Sequence, residues 1–175
     1  MKPLVLDLFS GTGSATQPFV ECGKHRVVRI DIAGKPDIRA DVRHLPLGPN
    51  LRPEFVWASP PCEEFSDAFR AVNGPMGAGK KPDTSLWWLA QCWALRAPLW
   101  CIENVRGAQR WMGKADFHRG SRYLWTNIPI LSPMDVAGDK YRLPPSKDRP
   151  ALRARIPRPL AEAVHRAVCE EVRGT

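Results

Sequence analysis

The opening of the chain constrains its fold most. Residues 4–9, Leu4-Val5-Leu6-Asp7-Leu8-Phe9, form an apolar run broken by one acid, and the run stops at Ser10-Gly11-Thr12-Gly13-Ser14. A short apolar run closed by glycines and followed by a helix-like stretch (residues 15–22) predicts strand, tight turn and helix, with Gly23 capping the helix. Residues 25–31 then predict a second strand that ends in Asp31. Strand, helix and strand in this order are the opening of a doubly wound α/β sheet.

Further strands follow the same pattern. Residues 54–58 predict a strand that Ser59-Pro60-Pro61-Cys62 must end, because two prolines cannot continue a ladder. Asp83-Thr84-Ser85 predicts the cap of a helix running to residue 95, whose Trp87, Trp88 and Trp93 are spaced as core residues. Residues 99–102 predict a buried strand ending at Glu103-Asn104-Val105, and residues 122–130 a further β segment. Leu160, Val164, Val168 and Val172 fall on one face of a C-terminal helix. Residues 73–82, rich in Gly and Pro with Lys80 and Lys81, read as a surface connection or a substrate loop. Residues 132–150 read as an irregular loop. No internal repeat or domain boundary interrupts residues 1–175, which suit one domain.

Asp7, Asp31, Asp41, Cys62 and Glu103 all fall at or just beyond the carboxyl end of a predicted strand, the edge where open α/β sheets bind ligands. The turn Asp7-x-Phe9-x-Gly11-x-Gly13 permits close backbone approach. It has neither dinucleotide nor P-loop spacing, since no Lys-Ser/Thr follows Gly13. With Asp31 placed for ribose hydroxyls and Asp41 for an adenine amino group, it points to an adenosine-containing cofactor without a phosphate chain. The expected cofactor-binding set is Asp7, Phe9, Ser10, Gly11, Thr12, Gly13, Ser14, Asp31, Ile32, Asp41, Val42 and Pro60. Cys62 sits in a backbone preset by two prolines. If it opens a helix at Glu63, the helix N-terminus favours the thiolate; the other reading is a buried cysteine at a tight corner. Glu103, at a partly buried strand end, suits a proton donor, and Asn104 suits a tie to neighbouring backbone.

In this order, Asp7-Leu8-Phe9-Ser10-Gly11-Thr12-Gly13, Pro60-Pro61-Cys62-x-x-Phe65-Ser66 and Glu103-Asn104-Val105 resemble the cytosine-5 DNA methyltransferase family. The resemblance covers residues 4–106 and resumes weakly at Ile156-Pro157-Arg158-Pro159-Leu160-Ala161, similar to the family's last motif beside the cofactor site. It implies a Rossmann-like methyltransferase fold with a mostly parallel sheet and S-adenosyl-L-methionine as cofactor. The catalytic set would be Cys62, Glu103, Asn104 and Arg122. Cys62 would add to ring carbon 6 of cytosine while Glu103 bonds ring nitrogen 3, and carbon 5 would take the methyl group. Duplex DNA would present the base flipped out.

The chain also departs from the family. Arg122, in Arg119-Gly120-Ser121-Arg122, stands in for the base-contacting arginine of a glutamine-arginine-rich motif. Arg153-Ala154-Arg155-Ile156 stands where the family uses an asparagine. Residues 126–155 occupy the place of a target-recognition domain, as in compact relatives carried by bacteriophages or in restriction-modification systems. Three readings follow: methylation of DNA with short or relaxed specificity; the same chemistry on RNA or a free cytosine nucleotide; and a non-catalytic or partner-dependent subunit needing a specificity protein.

The net charge of +8 favours a polyanionic partner. Lys80, Lys81, Arg110, Lys114, Arg119 and Lys147 are candidates for phosphate contact. No apolar stretch reaches membrane-spanning length, and the first residues lack a signal-peptide pattern, so a cytoplasmic location is expected. Of five cysteines, three are expected in the core and Cys62 at the site. With no C-x-x-C pair, no structural zinc is expected.

Overall fold

A computed structural model describes residues 1–48, 50–65, 82–129 and 155–174. The residues form seven strands: β1 (Leu4–Leu8), β2 (Arg26–Asp31), β3 (Ile38–Arg39), β4 (Phe55–Ala58), β5 (Leu99–Asn104), β6 (Phe117–Arg119) and β7 (Arg122–Thr126). The helices are α1 (Gln17–Glu21), α2 (Ser85–Ala94), α3 (Gln109–Met112) and α4 (Arg158–Gly174). The sheet order is β3-β2-β1-β4-β5-β7-β6. The pairs from β3 through β5 are parallel, whereas β7 runs antiparallel to β5 and to β6. This is an α/β, doubly wound, Rossmann-like methyltransferase fold.

Alternation along the strands sends side chains to two cores. Val5, Phe55, Trp57 and Cys101 pack with Phe19 of α1 and with Leu160, Val164 and Val168 of α4. Leu6, Leu8, Val56 and Ile102 pack on the other face with Trp87, Ala90 and Ala94 of α2. The α4 periodicity predicted from Leu160, Val164, Val168 and Val172 is therefore the face that meets the sheet.

Several local expectations change. The first helix is shorter than residues 15–22, because Pro18 in its first turn restricts it to Gln17–Glu21. Gly23, at φ 67°, does follow its end in the left-handed region. Trp88 is 51% exposed, so it is not a core residue as Trp87 is. The β segment stops at Thr126 rather than residue 130; Thr126 is the last residue paired with β5, opposite Cys101, and its hydroxyl donates to the Trp100 carbonyl at 2.6 Å. Of the cysteines, only Cys101 is fully buried; Cys92 is exposed and Cys22 and Cys169 are half-buried. The two-residue β3 and the three-residue β6 are too short for a periodicity signal. The segments at 73–82, apart from Pro82, and at 132–150 lie outside the described residues.

Candidate active site

Parallel register aligns the strand ends. Leu8 pairs with Ile30 and Ala58, and Ala58 with Ile102. Phe9, Asp31, Ser59 and Glu103 therefore lie in one row at the carboxyl edge of the sheet. The chain turns outward from β1 to β2 and β3, then crosses back to β4 on the other side of β1. That reversal opens a crevice at the carboxyl edge between β1 and β4, flanked by the glycine turn and by Ser59-Pro60-Pro61-Cys62.

The glycine turn is tightly held. Phe9, Gly11 and Gly13 have φ of 56°, 51° and 69°, and for a bulky residue such as Phe9 this region is strained. A Cβ on Gly13 would lie 2.6 Å from Arg29 Nε. Arg29 occupies that space, donating to the Gly13 carbonyl at 3.0 Å and to Gln17 Oε1 at 2.9 Å. Its Nε also donates to Thr16 Oγ1 at 3.3 Å, and the Thr16 hydroxyl donates to Asp7 Oδ2 at 2.6 Å. Asp7 is fully buried and its Oδ1 has no hydrogen-bond partner. Burial pushes its carboxyl up to about 7, against the pull of Thr16 and Arg29.

Asp31 accepts from Gly11 N at 2.8 Å and Ala33 N at 2.9 Å, one on each oxygen. It thereby clamps the glycine turn to β2 while keeping a lone pair on each oxygen for a further donor. Ile32 beside it is 68% exposed. Asp41 caps a short 3-10 turn, Val42–His44, through Arg43 N at 2.9 Å and also pairs with the Arg43 guanidinium at 3.0 Å. The Arg43 backbone N–H holds its carboxyl below the ordinary range. Val42 belongs to the buried core rather than to an open binding surface. Ser10 and Thr12 shape the turn, with Gly13 N donating to the Ser10 carbonyl at 2.7 Å. Ser14 accepts from Ile156 N at 2.9 Å, so the segment resembling a last motif docks on the glycine turn.

On the other side of the crevice, Asn104 is fully buried and donates through Nδ2 to the Pro60 carbonyl at 3.1 Å. Its Oδ1 accepts from Val105 N at 2.9 Å. One side chain thus fixes the corner that carries Cys62 to the end of β5. Glu103, 5% exposed, meets Arg122 Nη1 at 3.2 Å across the β5–β7 ladder. Arg122 Nη2 also donates to the Arg155 carbonyl at 3.1 Å. Burial raises the Glu103 pKa, and Arg122 and Ser59 oppose that rise.

The Cys62 thiol corrects one expectation. The described residues after it, Glu63–Phe65, form a 3-10 turn, and the continuation from residue 66 lies outside the described residues. Half-burial and the nearby Glu103 and Glu63 charges push the thiol up, and Arg122 opposes them. These surroundings favour the neutral thiol over the thiolate.

The sequence signals did not identify Thr16, Arg29 or Ser59. Thr16 was detectable as a hydroxyl residue just before a helix with an early proline. Arg29 and Ser59 carry no signal of their own and are placed by register alone. Ser66, Lys80, Lys81, Lys147 and Arg153 lie outside the described residues.

No protein-family profile matches the chain. Over 80 residues it is 36% identical to a protein of Frog virus 3 (isolate Goorha) named a probable DNA (cytosine-5)-methyltransferase. The match spans 44% of this chain and 37% of the viral protein. Over that stretch the chain is similar to a viral protein named for cytosine-5 methylation of DNA.

Proposed function

We propose that this protein is an S-adenosylmethionine-dependent methyltransferase that methylates carbon 5 of cytosine in DNA, with Cys62 as nucleophile. The observation that carries the reading is the convergence of Cys62, Glu103 and Arg122 at the crevice that also holds the glycine turn. The partial likeness to the viral protein supports the same chemistry.

The cofactor fits the residues present. Asp7 Oδ1 is a buried acceptor without a donor, Asp31 retains acceptor capacity, and Ile32 offers an exposed apolar face against which a purine can pack. Phe9 to Ser14 would border the cofactor, with Asp31 on its ribose and Asp41 on its adenine. When bound, S-adenosylmethionine supplies an electrophilic methyl group on a sulfonium.

The protein's own residues supply the rest. Cys62 loses its proton to solvent and its sulfur adds to ring carbon 6. Glu103, whose hold on a proton burial strengthens, carries that proton in the reacting form and gives it to ring nitrogen 3, so the electron pair pushed toward carbon 5 makes that carbon a nucleophile. Arg122 steadies the Glu103 carboxyl, and Asn104 holds the Pro60-Pro61-Cys62 corner. After methyl transfer, water takes the carbon 5 proton, ring nitrogen 3 returns its proton to Glu103, and the sulfur departs and regains a proton from solvent, which restores the ring and the enzyme.

The test is incubation of the purified chain with S-adenosylmethionine and mixed-sequence duplex DNA, RNA or dCMP, followed by digestion and mass spectrometry of the nucleosides. The reading expects 5-methyldeoxycytidine from DNA, absent with Cys62→Ala. Residues 127–157 are all that separate β7 from α4, which favours, as a second reading, the same chemistry on a free cytosine nucleotide or RNA. Product from dCMP alone would make the enzyme one of nucleotide metabolism. No product until a specificity protein is added would make it a partner-dependent subunit.

A further inference from the structure

Cys22, His25 and His165 form a second cluster at the amino ends of the strands, opposite the crevice. Cys22 follows α1, His25 precedes β2, and His165 projects from α4. One potential ligand atom from each lies within 4.8 Å of the other two. Cys22 Sγ stands 3.4 Å from His25 Nδ1. One helical turn beyond His165, Cys169 Sγ stands 3.5 Å from His165 Nε2. Around a tetrahedral zinc ion with ordinary Zn–S and Zn–N bonds, a sulfur and a nitrogen are about 3.6 Å apart. The Cys22–His25 pair holds that spacing within the group that includes His165, whereas Cys169 holds it to His165 alone and must turn its side chain to supply the fourth ligand.

The surroundings fix the imidazoles. Phe19 meets the His25 ring edge-on at 5.2 Å and the His165 ring at 4.7 Å. The four side chains are half-buried, which shelters a site yet leaves an entry path. In sequence the pattern is Cys22-x-x-His25 with His165-x-x-x-Cys169, which a search for paired cysteines passes over.

We propose that Cys22, His25, His165 and Cys169 form a structural zinc site that fastens α4 to α1 and β2. Zinc coordination displaces the proton of each thiol to solvent, and Cys22 gives up its thiol bond to the Phe19 carbonyl, now 3.2 Å long. Two thiolates and two neutral imidazoles neutralise the ion and close its coordination, so the site is structural rather than catalytic. Because α4 follows directly on Ile156, which docks on Ser14, the ion would also steady the glycine turn.

The experiment strips the full chain with chelator and titrates it with Co²⁺ and then Zn²⁺. The proposal expects one equivalent of tetrahedral cobalt with a thiolate charge-transfer band, displaced by zinc, and a higher melting temperature with zinc. Cys22→Ser and His165→Gln should each abolish stoichiometric binding, and Cys169→Ser should remove about half of the charge-transfer intensity. Cys92→Ser, at an exposed thiol on α2, should change nothing. Circular dichroism separates loss of a ligand from loss of fold, and any folded variant lacking Cys22, His25 or His165 gives a valid result. No cobalt band in the native chain, or a full band in such a variant, overturns the proposal and leaves two ordinary S–H···N contacts.

Discussion

Asp7 and Glu103 are buried carboxyl groups with opposite surroundings. Asp7 has Thr16 on one oxygen and nothing on the other, so its carboxyl titrates near 7 instead of the ordinary 3.8. Between those values the folded chain holds a proton that the unfolded chain has released, so stability falls as pH rises through the window. The change is on the order of 4 kcal/mol. Asp7→Asn keeps an acceptor for Thr16 and removes the titration. Urea midpoints measured below and above the window should diverge in the native chain and converge in this variant. At the proposed catalytic pair of Cys62 and Glu103, the Glu103–Arg122 ion pair favours a resting thiol beside a carboxylate, whereas the proposed reacting form is a thiolate beside a carboxylic acid. These forms hold the same number of protons. Activity should therefore be level between a raised Glu103 pKa on the acid side and a raised Cys62 pKa on the alkaline side. Glu103→Gln should lower kcat/KM by about 100-fold or more and replace the level region and its alkaline fall by a rise with pH toward the Cys62 pKa.

The two turns at the crevice are held in different ways. Gly13 is fixed by sterics: at φ 69°, with Arg29 in the space a Cβ would take, Gly13→Ala should cost about 1–3 kcal/mol. A thermal melt of the variant checks this, and its loss of S-adenosylmethionine affinity by calorimetry should be larger than its loss of stability. The Cys62 corner is fixed by one buried side chain. Asn104→Ala removes the bond to the Pro60 carbonyl and should cost about 1–3 kcal/mol. It should lower kcat more than it raises KM for the cofactor, because it loosens the nucleophile and leaves the glycine turn intact. These elements also divide what the sequence discloses from what it conceals. The glycine turn is legible because glycines and an apolar run are local signals. The prolines mark where β4 ends, but whether a dipole acts on Cys62 depends on the length of the turn after it, which no local pattern specifies. The ties from Asn104 to Pro60 and from Arg29 to the Gly13 carbonyl join residues far apart in sequence, so only strand register discloses them.

Across the whole molecule, β1, β2, β4, β5 and β7 match strands expected from the sequence, whereas β3 and β6 lack a periodic signal and the order β3-β2-β1-β4-β5-β7-β6 is disclosed by the structure. The core was legible in α4 and less so in the cysteines. Cys22 and Cys169 look apolar by their sequence neighbours, yet each stands beside a histidine three or four residues away, and the fold brings Cys22, His25 and His165 together. The +8 charge remains a property of the whole chain, and binding to DNA should weaken steeply with added salt if phosphates provide the contact. The central claim is a covalent bond between Cys62 and cytosine. Duplex DNA carrying 5-fluorodeoxycytidine tests it most directly, because fluorine in place of the carbon 5 proton blocks the final elimination. With S-adenosylmethionine present, intact-mass analysis should show protein joined to the oligonucleotide plus one methyl group, with no such species from Cys62→Ala. An unmodified native protein after full incubation with DNA, RNA and free nucleotide forms of the analogue, or an adduct that survives Cys62→Ala, would contradict it.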